Sequence, residues 1–226
     1  MRARLARLRE VGGDAGVSIT ELVVTVMVSS LVLAMVGSMY VNVALITNNS
    51  NATTQRNGVA ANVMNEVSSV VRTAAVNPVS GSTTADPAIV SGTPTSLTLY
   101  SFVDTDPAAP APSKVTFRFD GSMNLVEDRW TASKSGTYWV FTGSAFTRTL
   151  GGPMLNLTGT DAFFVYLDAN GAVITPDTNG LTLAQRNLVA SVKVTVRIDN
   201  QPTTGADPIQ LVSTIGMPNV QISGGN

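Results

Sequence analysis

Hydrophobic and polar positions change their pattern twice along the chain. From Leu22 to Ile46 the 25 residues are mostly Val, Leu, Met, Ile and Ala, interrupted by Thr25, Ser29, Ser30, Gly37, Ser38 and Asn42. About 20 apolar residues cross a bilayer as a helix, so this run is long enough to span one. Between Asn48 and Val76 there is no proline, and Val59, Val63, Val67, Val70, Val71 and Ala74 recur on one face of a helix. The spacing predicts that the helix continues past the apolar run with an amphipathic second half. Val and Thr are only fair helix formers, so packing must support it, and Asn77-Pro78 is the natural stop.

Residues 79–94 are rich in Ser, Thr, Gly and Pro and read as a loop. The period then becomes two. Leu97 to Val103, Lys114 to Phe119 and Asn124 to Trp130 alternate, with Asp120-Gly121 turning between the last two. Further strands are expected at Tyr138–Phe141, Phe163–Leu167, Leu188–Ile198 and Gln210–Ile215. The fold class is therefore α+β, a long amino-terminal helix packed by its second half on an antiparallel sheet domain.

Composition narrows the chemistry. The 226 residues suit one or two domains, and 44% hydrophobic against 13% charged residues, with mean hydropathy +0.21, excludes a disordered or coiled-coil chain. Cysteine and histidine are both absent, which removes disulfides, thiolate nucleophiles, Ser-His-Asp triads and nearly all zinc sites. No cofactor is expected, no catalytic motif or phosphate-binding glycine loop is present, and the chain does not read as an enzyme.

Charge is placed unevenly. Arg2, Arg4, Arg7 and Arg9 crowd the start, and after Glu21 no charged residue occurs until Arg56. Arginines before an apolar span keep that end in the cytoplasm, so the residues beyond Ile46 are expected outside. A cleaved secretory signal has an apolar region of about 7–15 residues followed by a small-residue site. This run is longer, and its obvious small-residue site precedes it. A plain signal anchor accounts for the length and the arginines but not for Glu21. A carboxylate at the edge of a hydrocarbon span costs on the order of a few kcal/mol unless it is paired or reaches the interface. The plain alternative is a helix-start residue favoured by the macrodipole.

Gly16-Val17-Ser18-Ile19-Thr20-Glu21-Leu22-Val23-Val24 resembles the type IV prepilin signature. In that family a membrane peptidase cuts after a glycine on the cytoplasmic side, the apolar segment stays attached, and the fifth mature residue is Glu. The resemblance implies cleavage between Gly16 and Val17, N-methylation of Val17, and a filament-assembly role for Glu21, which neutralises the terminal amine of the same or an adjacent subunit. Val17 stands where the family usually has Phe, and Asp14-Ala15 where a basic residue often precedes the glycine. The family architecture is one long helix, here of roughly 55 residues on the helix-stop signals.

A second resemblance lies further on. Phe164-Val165-Tyr166-Leu167-Asp168-Ala169-Asn170-Gly171, followed by the alternating Leu188 to Val196, is similar to the ending of the W-type minor pilins and the J-type minor pseudopilins of type II secretion. It points to a minor, larger subunit.

Other candidates have plain competing readings. Asp168 and Asn170 begin like a calcium loop, but a full EF-hand loop needs a Glu at its twelfth position, here Asn179, and an Asn-Gly hairpin turn is the simpler reading. Asp104 and Asp106 read as solvated turn residues in a proline-rich loop. Glu127 and Asp128 are adjacent carboxylates, yet neighbours in a strand face opposite ways and do not share a pocket. Trp130, Tyr138 and Trp139 read as core packing in preference to a sugar or ligand platform. From Asn77 onward 8 Lys and Arg face 11 acids, a net of -3, so no nucleic-acid partner is expected.

The sequence thus leads to residues 1–16 as a cleaved leader, 17–46 as a transmembrane and filament-core helix, 47–76 as its amphipathic continuation and 77–226 as an extracytoplasmic β-rich domain. The expected partners are the prepilin peptidase, other pilin subunits in a hetero-oligomeric filament, and the membrane. The expected localisation is a single-pass membrane protein with a cytoplasmic amino terminus, later a cell-surface filament. The alternative is an uncleaved, membrane-anchored ectodomain acting as adhesin or enzyme.

Overall fold

The computed structural model describes residues 17–155, 157–198 and 208–220. The leader and Gly16 lie outside the described residues. The chain divides into two units, residues 1–50 and 51–226. The structure is α+β: one helix, α1 (Ile19–Arg72), gives the first unit its described structure and supplies the second with a helix packed on antiparallel sheets.

In the second unit the predicted stripe is the buried face. Val63, Val67, Val70 and Val71 have no exposed surface, and Ala60 joins them. Burying each valine contributes about 1.5–3 kcal/mol, which offsets the modest helix propensity of the segment. α1 ends at Arg72, short of the expected stop at Asn77, because the chain that follows pairs as a strand. Phe102 N–H donates to Thr73 O at 2.9 Å and Ala75 N–H to Tyr100 O at 3.0 Å, while Asn77 and Asp86 exchange two backbone bonds. The Ser101 hydroxyl donates to Val70 O at 2.9 Å, satisfying a carbonyl of the last helical turn.

The strands follow in chain order: β1 (Ile89–Gly92), β2 (Leu97–Ser101), β3 (Ser113–Phe119), β4 (Leu125–Thr131), β5 (Ser133–Ser135), β6 (Tyr138–Val140) and β7 (Phe146–Gly151). After them come β8 (Phe164–Leu167), β9 (Val173–Ile174), helix α2 (Leu183–Leu188), β10 (Ser191–Ile198) and β11 (Ile209–Gly216). One sheet has the order β1-β2-β3-β4-β7, a second β11-β10-β8-β9, and β5-β6 is a separate hairpin. All pairings between named strands are antiparallel. Phe117 of the first sheet and Phe164 of the second meet at 6.5 Å between ring centroids, in the core that both sheets share with α1.

Two glycines admit close approaches. A Cβ on Gly92 would lie 2.6 Å from the hydroxyl oxygen of Tyr166, whose O–H donates to Thr93 O at 2.9 Å. Burial raises the pKa of that phenol, so it stays a donor. A Cβ on Gly151 would lie 2.4 Å from Val59 Cγ1, so this glycine lets β7 run against α1.

The seam between α1 and the first sheet holds charge. Glu127 of β4 is 0% exposed, and its two oxygens accept from Arg129 Nε at 2.7 Å and Arg148 Nε at 2.8 Å. Glu66 of α1 accepts from Arg129 Nη2 at 2.9 Å and pairs with Arg148 Nη2 at 2.5 Å. Asp104 accepts from Arg129 Nη1 at 2.9 Å; its side chain is 71% exposed, yet it is a member of this cluster and not only the solvated turn residue expected. Asp106 caps its own turn through Ala108 N–H at 2.9 Å.

Asp128 faces the other side of β4, as strand alternation requires. It takes Arg118 Nε at 2.6 Å and the Thr147 hydroxyl at 2.6 Å. Partial burial opposes its ionisation, but the Arg118 and Thr147 hydrogen bonds outweigh this and its pKa is lowered.

Several expectations are corrected. Leu188–Ile198 is not one strand: Thr182 and Gln185 form a reciprocal capping box that starts α2, and β10 begins only at Ser191. The loop at 79–94 contains β1, and β5, β7 and β9 were not foreseen. Trp130, Tyr138 and Trp139 are half-buried and outside the core. Trp130 lies next to the inward-facing Arg129 and so points away from α1, under Lys114 Nζ at 4.6 Å. Trp139 sits opposite Lys134 in the β5-β6 hairpin, with Lys134 Nζ at 5.2 Å from its ring. These are cross-strand cation–π pairs.

Candidate functional site: the amino-terminal apolar segment

Val17 and Ser18 precede the helix, and Leu22 N–H donates to Ser18 O at 3.0 Å as the first intrahelical bond. The Ser18 hydroxyl bonds the Thr20 hydroxyl at 2.6 Å. Glu21 is the third helical residue, in the first turn, where the exposed N–H groups favour a negative charge. It is exposed, and among the described residues no hydrogen bond or ion pair engages it. Gly16, the residue before the expected cut, lies outside the described residues.

From Leu22 to Ile46 the helix carries its apolar side chains on every face. All of them except Ala44 are exposed, from Val23 at 51% to Leu33 at 76%. At 1.5 Å per residue the 25 residues run about 37 Å, more than the roughly 30 Å of a hydrocarbon core. The polar residues inside it are suited to that setting. Thr25, Ser30 and Ser38, and Thr47 just beyond it, each donate their hydroxyl to a carbonyl three or four residues back, at 2.8 Å in every case. An exposed apolar surface of this extent calls for a covering. The helix is compatible with a membrane anchor.

The other candidates fall apart on geometry. Asp168 Oδ1 accepts from the N–H groups of Asn170 and Ala172, each at 2.8 Å, and Gly171 takes the positive φ of 79° in the turn that joins β8 to β9. Asp168 and Asn170 thus belong to one hairpin turn, with the carboxylate engaged by backbone. Among the described residues there is no group of three or more His, Cys, Asp or Glu placed to hold a metal. Glu127 and Asp128 stay on opposite faces and share no pocket.

Sequence reasoning missed the ionic cluster at the seam. The available signal was Glu127-x-Arg129, two residues that a strand must place on one face, at positions where alternation predicts apolar side chains. No family model matches this chain, and no curated protein matches it.

Proposed function

We propose that the protein is a minor subunit of a type IV pilus-like filament, made as a prepilin, cut after Gly16 and held in the membrane by residues 17–46 until assembly. The observation that carries this reading is Glu21. It is a carboxylate with no partner among the described residues, at the head of an uncharged apolar run whose large side chains are all exposed, four residues from the terminal amine that cleavage would create on Val17. A pairing of that amine and carboxylate, within one subunit or between neighbours, removes two charges from an apolar interface at once. The same apolar surface that sits in lipid before assembly packs against other subunits' helices afterwards. The sheet domain stays outside and gives the subunit its identity among others in the filament. The ending of the chain around β8 and β10 resembles W-type minor pilins and J-type minor pseudopilins, which supports a low-copy, larger subunit.

Blocking the cut tests this. Gly16→Arg should leave full-length precursor in the membrane and none in sheared filaments, beside wild type distributed between both. Equal recovery of the variant in the filament fraction contradicts the proposal. Wild type that never leaves the membrane and keeps residues 1–16 supports the uncleaved, anchored ectodomain instead.

A further inference from the structure

Arg118, Arg129 and Arg148 each meet a carboxylate. Arg186 of α2 does not. Its Nη1 donates to Val90 O of β1 at 2.5 Å, and its Nε is sealed from solvent with no partner among the described residues. A cation withdrawn from water is ordinarily paired. Asp86 shares a small cavity of about 210 Å³ with Arg186, yet the two form no ion pair. The Asp86 carboxylate lies instead beside the Tyr100 hydroxyl: burial, and then this carboxylate, raise the pKa of that phenol.

Arg186 also lines a larger cavity, of about 550 Å³. Among the described residues around it Arg186 is the only charge; Thr84, Asn187 and Asn219 are polar, and Val76, Pro87 and Val220 are apolar. Small-molecule sites have this size and this make-up, an apolar wall with a few polar groups that fix orientation. The guanidinium is held by Val90 O and by the packing around Nε before any ligand arrives, and Nη2 is left for contact.

The lining also selects the anion. A carboxylate carries one charge, which one guanidinium neutralises, whereas a phosphate dianion would keep an excess charge against apolar residues. Val76, Pro87 and Val220 suit an apolar body attached to that carboxylate.

We infer that the cavity between α2 and the loop that follows α1 binds an apolar monocarboxylate, its charge on Arg186 and its body against Val76, Pro87 and Val220. Asn187 and Asn219 suit an amide or hydroxyl next to the carboxylate. Two sources share this chemistry, a free acid and the carboxyl terminus of a polypeptide. The cavity is lined wholly from residues 51–226, so the inference stands or falls apart from the filament reading.

Binding is measured by amide-shift titration of isotope-labelled, full-length protein in a neutral detergent. N-acetyl-leucine is expected to move the signals of Asn187, Asn219 and Val220 and to saturate. N-acetyl-leucinamide, the same body without the charge, is expected to bind about tenfold more weakly or worse, because hydrogen bonds to charged groups are the strong ones. Arg186→Gln should weaken N-acetyl-leucine by the same factor. Ala85→Trp, in the loop that lines the cavity, fills it and keeps Arg186; it should abolish the shifts with the midpoint of thermal unfolding unchanged. An acetylated hexapeptide ending in leucine separates the sources: tighter binding than N-acetyl-leucine identifies a polypeptide terminus, equal binding a free acid. No saturable shift with either acid overturns the inference, and so does binding that survives Arg186→Gln or Ala85→Trp. Inorganic phosphate that binds as tightly as N-acetyl-leucine overturns it in favour of a general anion site. Binding that appears only once residues 221–226 are removed overturns it in favour of a cavity closed by the chain itself.

Discussion

If the protein assembles as proposed, Glu21→Ala is expected to leave it inserted and folded and to remove it from filaments. Insertion is kept because deleting a charge makes the first turn of an apolar helix easier to bury. Folding of the sheet domain is kept because its core begins near Ala60, 39 residues further along the chain, and Glu21 contributes nothing to it. Assembly is lost because an amine on Val17 would enter a low-dielectric interface without its carboxylate, and an unpaired buried charge costs about 3–5 kcal/mol. That is a loss of about two to three and a half orders of magnitude in an equilibrium constant, at about 1.4 kcal/mol per factor of ten. The measurement is the ratio of variant in sheared filaments to variant in membrane, beside wild type at equal expression. Equal ratios would reduce Glu21 to a helix-start residue.

Glu127→Ala has the largest expected effect on stability. The carboxylate is fully buried and, among the described residues, it alone accepts from both Arg129 Nε and Arg148 Nε. Its removal strands two guanidiniums at the seam between α1 and the first sheet. Breaking a buried pair costs about 3–5 kcal/mol. Arg148, 41% exposed, recovers part of its hydration, so the lower end applies. For a domain of this size each kcal/mol moves the unfolding midpoint by about 2–4 °C, so a fall of roughly 6–12 °C is expected by calorimetry in detergent. Thr149→Ala on the outer side of β7, a surface position, should change it little. An unchanged midpoint for Glu127→Ala would mean that Glu66 and Asp104 alone satisfy both arginines.

Periodicity made the helix legible and hid the seam. The valine stripe from Val59 to Val71 and the alternation of β3 and β10 are repeated signals, strong enough to survive single exceptions. α2 has six residues, too few for a period, and only Thr182-x-x-Gln185 marked its start. β7 alternates, but of Phe146, Arg148 and Leu150 the first is exposed, the second charged and only the third packs on the core, so no continuous apolar face announces it. The cluster was out of reach for a further reason: Glu66 precedes Arg129 by 63 residues, and nothing local says they meet. The aromatic trio misled because Trp and Tyr also serve as cross-strand partners of lysine on outer faces. The proposed amino-terminal site is the reverse case. Its elements are contiguous in sequence, so spacing alone brought Val17, Glu21 and the apolar span together, and the helix from Ile19 keeps that order.

The central claim is that this helix is a processed prepilin segment. Intact-mass analysis of protein extracted from membranes reads the amino terminus directly. The account predicts a chain that begins at Val17 and carries one added methyl group. A chain that still begins at Met1, or one cut after Ile46, would contradict it.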